Sequence, residues 1–167
     1  MNIIGKTLLI ILVSFFTYQL LSSPTPFIFI DNLNLLIHEA GHLIFFFFGQ
    51  FIDVLAGSVF QILIPCLFFF YFFKRKEYFS LSFVLFWIAD NIINVSVYMK
   101  DAVPMSLPLL GGDNVFHDWN YLFTVMHLLP ISFFIGQGFY ILGILLLLTS
   151  IIGMIFFTIK DSKAPRI

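Results

Sequence analysis

The stretch His38-Glu39-Ala40-Gly41-His42 holds the residues best suited to chemistry in this chain. On an α-helix, residues four apart lie one above the other on the same face. Two imidazoles at that spacing can bind one Zn2+, and the glutamate between them can reach the metal-bound water as a general base. Zinc lowers the pKa of such a water to about 7, so hydroxide becomes available at neutral pH. Ala40 and Gly41 are small enough to let a neighbouring helix or a substrate approach closely. The chain has four histidines, and its glutamates are Glu39 and Glu77 alone. Charged groups inside apolar segments are costly and usually functional, and here three ionisable side chains share five residues.

A mononuclear zinc hydrolase also needs a third protein ligand and an open fourth position. The segment from Leu107 to Asn120 is the best source. Gly111-Gly112 gives a flexible turn, and His117-Asp118-Trp119-Asn120 then opens a new apolar helix. His117 offers an imidazole. Asp118 offers a ligand oxygen, an acceptor that orients a histidine, or an ordinary helix N-cap. Adjacent residues at a helix start point about 100° apart, so one of the two, not both, is expected on the metal. His117 is favoured over Asp118, because neutral imidazole suits Zn2+ and a neighbouring carboxylate is a common partner of a ligating histidine. Asp113 reads as a turn residue. Asp90 and Asn94 share a helix face at i and i+4, and with Asn91 and Ser96 they form a polar stripe. That stripe either lines the cavity or bonds neighbouring helices, with Asp90 in reserve as a ligand. His127, within an apolar stretch, reads as a buried, hydrogen-bonded histidine.

These residues must be positioned by elements that water would not tolerate. Of 167 residues, 60% are hydrophobic, 20% aromatic and only 10% charged. Soluble domains carry roughly 25% charged residues, so this composition cannot build a wet surface. The 25 phenylalanines, in runs such as Phe45 to Phe48, suit lipid. Net charge is −1, and nothing points to nucleic acid. One cysteine, Cys66, excludes an intrachain disulfide and reads as a structural thiol.

A membrane span needs about 20 mostly apolar residues. Apolar segments run over roughly 7–22, 27–52, 54–73 and 79–99, followed by a polar stretch over 100–118. The last apolar region, 119–158, suggests a short helix and then a full one from about 138 to 158, with Pro130, Gly136 and Gly138 between. The expected fold is an all-α, polytopic transmembrane bundle of about five helices, one of them short or re-entrant, forming a single integral membrane domain over 1–167. By the positive-inside rule Lys74 to Lys76 and the tail with Lys160, Lys163 and Arg166 face the cytoplasm, and 100–118 lies opposite. Lys6 also prefers the cytoplasm. All three basic clusters are satisfied only if 27–52 does not fully cross, as for backbone dipping in beside a water-filled cavity.

Asn34 to Leu43, with the two histidines and Glu39, resembles the first catalytic helix of site-2 protease-type intramembrane zinc metalloproteases. Ala56-Gly57-Ser58-Val59-Phe60-Gln61 is similar to that family's A-G-P-x-x-N segment, with Ser58 for proline and Gln61 for asparagine. The family's L-D-G sequence is absent. The similarity covers about residues 30–65 and marks a divergent relative. It implies a zinc-dependent protease that cuts membrane-embedded protein substrates, with Gly57 and Gln61 against the substrate strand. For Gly57 and Gln61, helix packing plus one interhelical hydrogen bond is an equal alternative. It also implies a multi-pass protein of the bilayer, placed in a bacterial cytoplasmic (inner) membrane. Two rivals remain: a metal-dependent hydrolase of a lipid or small amide, and a non-enzymatic metal-binding or transport protein in which Glu39 is a further ligand. Oligomeric state is open.

Overall fold

The computed structural model describes residues 1–23, 25–108 and 117–163. Among these there are six α-helices and no strand: α1 (Ile3–Ser22), α2 (Asp31–Phe45), α3 (Gln50–Lys74), α4 (Tyr78–Lys100), α5 (Asp118–Val125) and α6 (Ser132–Lys163). Four of them, α1, α3, α4 and α6, are long and apolar enough to cross a membrane, which fits an integral membrane protein. The outer surface agrees. Phe47 is 77% exposed and Phe134 73%, a surface that water would punish and lipid accepts.

Local chemistry sets the boundaries. The Asn2 side chain accepts from the Gly5 N–H at 2.8 Å and caps α1. Segment 27–52 is not one helix. It forms α2, a short 3-10 turn over Phe46–Phe48, and then a break at Gly49, whose φ of 87° and ψ of 159° suit glycine alone. With 15 residues, α2 is about 22 Å long, short of the roughly 30 Å hydrocarbon core. Between α3 and α4, Lys76 takes the left-handed conformation (φ 58°), with Glu77 N–H bonded back to the Phe72 carbonyl, a helix-ending motif usually built on glycine.

Two sequence expectations near the C-terminal end need correction. The long helix begins at Ser132, not near 138, because Gly136 and Gly138 do not break it. Gly136 instead lets α6 meet the α4 backbone: a Cβ there would lie 2.9 Å from the Ser96 carbonyl oxygen. The break falls earlier, where His127 adopts φ 59° and Leu128 N–H bonds the Phe123 carbonyl at 2.8 Å. His127 is exposed at this turn, not buried in a helix.

The helix α4 is central, with 61% of its apolar window buried against 22–33% for the other three long helices. On one side it packs along α6, where Gly143 sits against Ile93 and Ser150 Oγ donates to the Ser82 carbonyl at 2.7 Å. On the other side it meets α3, while α2 lies on α3 and α1 on α6. Lys6 pairs with Asp161, so the start of α1 and the end of α6 share one end of the bundle. Lys76 joins them around a single cavity. With α1, α3, α4 and α6 long and α2 short, Lys6, Lys76 and Lys160 lie at the same end of the bundle.

Candidate metal centre

His38 and His42 lie one turn apart on α2, and Asp118 reaches them from the first residue of α5. The Asp118 Oδ2 atom is 3.0 Å from His38 Nε2 and 3.4 Å from His42 Nε2, and the two Nε2 atoms are 3.1 Å apart. Tetrahedral zinc with bonds of roughly 2.0–2.1 Å sets its ligand atoms about 3.3 Å from one another. The three separations bracket that value.

The opposite edge of each ring explains why these atoms converge. His42 Nδ1 donates to the Asp53 carbonyl at 2.8 Å, and His38 Nδ1 donates to Gln61 Oε1 at 3.2 Å. The Gln61 amide is itself oriented, since its Nε2 donates to Asn94 Oδ1 at 3.2 Å. With both Nδ1 protons committed, both neutral imidazoles present Nε2 lone pairs to one point, beside a carboxylate oxygen. Three acceptors at such distances repel unless a cation sits among them. Without a metal, a proton held between His42 and Asp118 plays that part. The hydrogen bond with Asp118 raises the His42 pKa to about 9, outweighing desolvation. Burial alone would raise Asp118, but the hydrogen bonds of His38 and His42 hold it below the ordinary carboxylate range.

Space for the cation comes from α3. A Cβ on Gly57 would lie 2.5 Å from His42 Nε2 and 2.6 Å from His38 Nε2. The missing side chain leaves a cradle where both ligand nitrogens point. On the next turn, Gly41 brings α2 onto α3 so closely that a Cβ there would sit 2.5 Å from the Ala56 carbonyl oxygen. The donor set, the spacing and the cradle all fit Zn2+.

His117, favoured from sequence as the third ligand, is turned elsewhere. Its Nε2 donates to Asp101 Oδ2 at 3.2 Å and its Nδ1 accepts from the Asn120 N–H at 3.2 Å, capping α5. Nε2 uses its proton on Asp101 and Nδ1 uses the ring's one lone pair on Asn120, so no lone pair is left for a metal. The cap, one of three readings of Asp118 from sequence, is made by His117, which frees the Asp118 carboxylate for the histidine pair. Burial lowers the His117 pKa despite Asp101, keeping the imidazole neutral in this role. Asp101 anchors the approach to α5: it accepts from Ser106 N–H, Ser106 Oγ and Leu107 N–H at 2.8–3.0 Å. Burial opposes its charge, but these bonds and that of His117 hold it below the usual carboxylate range. Asp113 and the Gly111-Gly112 turn lie outside the described residues.

Glu39 is exposed in the wall of a cavity of about 850 Å3, which also takes in His38, His42, Asp118 and Gln61. It is also lined by Thr25, Pro26 and Phe27 after α1 and by Leu107 and Pro108 after α4, away from the basic end. Glu39 is not in the ligand cluster. Asn94 lines the cavity, whereas Asp90 is fully buried behind it, accepting from Asn34 Nδ2 at 2.8 Å. Sequence reading missed Asp53, Asp101, Asp31 and the placement of Tyr98, whose hydroxyl accepts from the Asp118 N–H at 3.1 Å. The helical face would have found Asp53, since Asp53, Gly57 and Gln61 follow one another every four residues on α3. Compared with protein-family models, curated proteins and solved structures, the chain has no significant match.

Proposed function

We propose that this chain is a zinc-dependent intramembrane metalloprotease, a divergent relative of the site-2 protease type, embedded as a multi-pass protein in a bacterial inner membrane. The observation that carries the reading is the convergence of His38 Nε2, His42 Nε2 and Asp118 Oδ2 beside the Gly57 cradle, with Glu39 in the same cavity. His38, His42 and Asp118 would hold zinc, which when bound polarises a carbonyl and acidifies water.

Glu39 then supplies the base. It takes a proton from the attacking water as the new C–O bond forms, and delivers it to the amide nitrogen as the C–N bond breaks. Gln61 and the Asp53 carbonyl keep the two imidazoles aimed. The substrate is an unwound segment of another membrane protein, because a helix hides its carbonyls in its own hydrogen bonds. That Glu39 stands outside the ligand cluster favours a catalytic role over a fourth ligand in a transport site.

The test is Glu39→Gln, in full-length protein reconstituted in vesicles with labelled single-span peptides. Zinc content should stay at the wild-type level while fragments cut inside the apolar segment disappear, a loss of several orders of magnitude. Equal turnover in the variant rules the mechanism out, and loss of zinc makes Glu39 a ligand.

A further inference from the structure

At the end of the bundle opposite the metal centre, a second cavity of about 710 Å3 lies between α1 and α3, over α4. Its walls are apolar and aromatic, including Leu9, Phe68, Phe72 and Phe83. Phe68 is 47% exposed, so the wall continues onto the outer surface that faces lipid in the proposed membrane setting. Its rim carries Lys6, Lys76, Lys160, Glu77 and Asp161.

The charges on this rim do not cancel locally. Asp161 is paired with Lys6, whose ammonium also stands 4.9 Å from the centre of the Phe79 ring. Glu77 is paired with Arg75 at 2.7 Å. Both carboxylates are thereby occupied, and Lys76 and Lys160 have no counter-ion among the described residues. Lys76 also occupies a left-handed position that glycine would take at lower cost, so backbone geometry does not explain a lysine there. Two free ammonium groups above an aromatic slot match a molecule with an anionic head and apolar chains.

We infer that this cavity is a binding site for a phospholipid with an anionic headgroup, drawn from the leaflet at the basic end of the bundle. Its phosphate sits between Lys76 and Lys160, and its acyl chains fill the gap between α1 and α3. The volume falls within the range of small-ligand pockets, roughly 300–1,000 Å3, and accommodates the head and upper chains while the remainder stays in the bilayer. The inference is independent of the protease reading.

The test uses the full chain, stripped of lipid in detergent and re-exposed to mixed vesicles of equal phosphatidylglycerol and phosphatidylcholine, with retained lipid quantified by mass spectrometry. A lysine near an anionic headgroup contributes about a fivefold preference, so two give roughly 25-fold enrichment of phosphatidylglycerol. Lys76→Gln with Lys160→Gln should abolish that enrichment. Lys74→Gln with Lys163→Gln removes the same charge outside the cavity and should leave it intact. Equal retention of both lipids by the wild type overturns the site. So does an equal loss in both double variants, which reduces the effect to general surface charge. Displacement of phosphatidylglycerol by 10 mM inorganic phosphate also overturns it, since the pocket would then take the free anion.

Discussion

Replacing Gly57 with alanine is the sharpest test of the metal centre, because it adds one methyl group at the point where the ligand nitrogens meet. The new Cβ would stand 2.5 and 2.6 Å from the two Nε2 atoms, against an ordinary contact of at least 3.4 Å. Each imidazole would have to retreat by about 0.8–0.9 Å, whereas zinc–ligand distances tolerate roughly 0.2 Å. The helices cannot easily part to absorb the methyl, since Gly41 already holds α2 against the Ala56 carbonyl. Two of three ligands are therefore displaced, and zinc affinity should fall at least a thousandfold, or about 4 kcal/mol. The assay is zinc per chain after dialysis against a competing chelator, with circular dichroism to show that the helices persist. Gly138→Ala is the control, because a Cβ there meets nothing within 4 Å. Wild-type zinc affinity in folded Gly57→Ala would refute the placement of the ion in this cradle.

His38→Ala with His42→Ala should leave no zinc in the purified protein, and stoichiometric zinc in that variant sinks the site. Asp118→Ala should cost more zinc affinity than His117→Ala, whose effect should stay near the roughly 10–100-fold typical of groups that orient a ligand; chelator titration ranks them, and the reverse order returns the role to His117. After replacement of Cys66, cysteines placed at Lys76 and Lys163 should label from the same side of a sealed vesicle and one at Val103 from the other. Opposite labelling of the first two would break the arrangement of four crossing helices.

Much of this was legible in the chain because the signals are local. Apolar runs bounded by Lys74 to Lys76 or by Ser22-Ser23-Pro24 announce helices, and an H-E-x-x-H spacing is contained in one turn of one helix. What escaped depends on distant partners. Phe45 to Phe48 continues the apolar run; the basic clusters point to a segment that does not cross, but only the backbone at Gly49 shows where it breaks. Which of His117 and Asp118 turns toward α2 depends on Asp101, sixteen residues away, which captures the imidazole and leaves the carboxylate to face the histidine pair. No spacing rule links Asp101 to His117. The role of Gly57 was hidden for a related reason: its contribution is the absence of atoms, visible only once α2 lies against α3.

The buried polar network behind His38 can hold that ring steady on a helix as short as α2. From His38 Nδ1 the hydrogen bonds pass to Gln61, then to Asn94, and on to Asp31 Oδ1 at 3.4 Å. Asn34 Nδ2 joins Asp31 and Asp90 at 3.0 and 2.8 Å, and Asn34 Oδ1 accepts from Trp87 Nε1 at 2.7 Å. Asp31 is 1% exposed and Asp90 is fully buried, a costly placement for two carboxylates in an apolar bundle. Such networks rigidify what they connect where their groups are partnered, as these are except at the buried Asp90 Oδ1 and Asn91 Oδ1. Here they connect α2 to α3 and α4 with directional bonds, where apolar packing alone would let a 15-residue helix slide. A slide of half an ångström would already exceed what a zinc ligand tolerates. Of the polar stripe on α4, Asn94 bonds Gln61, while Asp90, the reserve ligand from sequence, and Asn91 bond Asn34 on α2. These bonds tie α2 to α4 both directly through Asn34 and through Gln61, the residue that His38 Nδ1 meets.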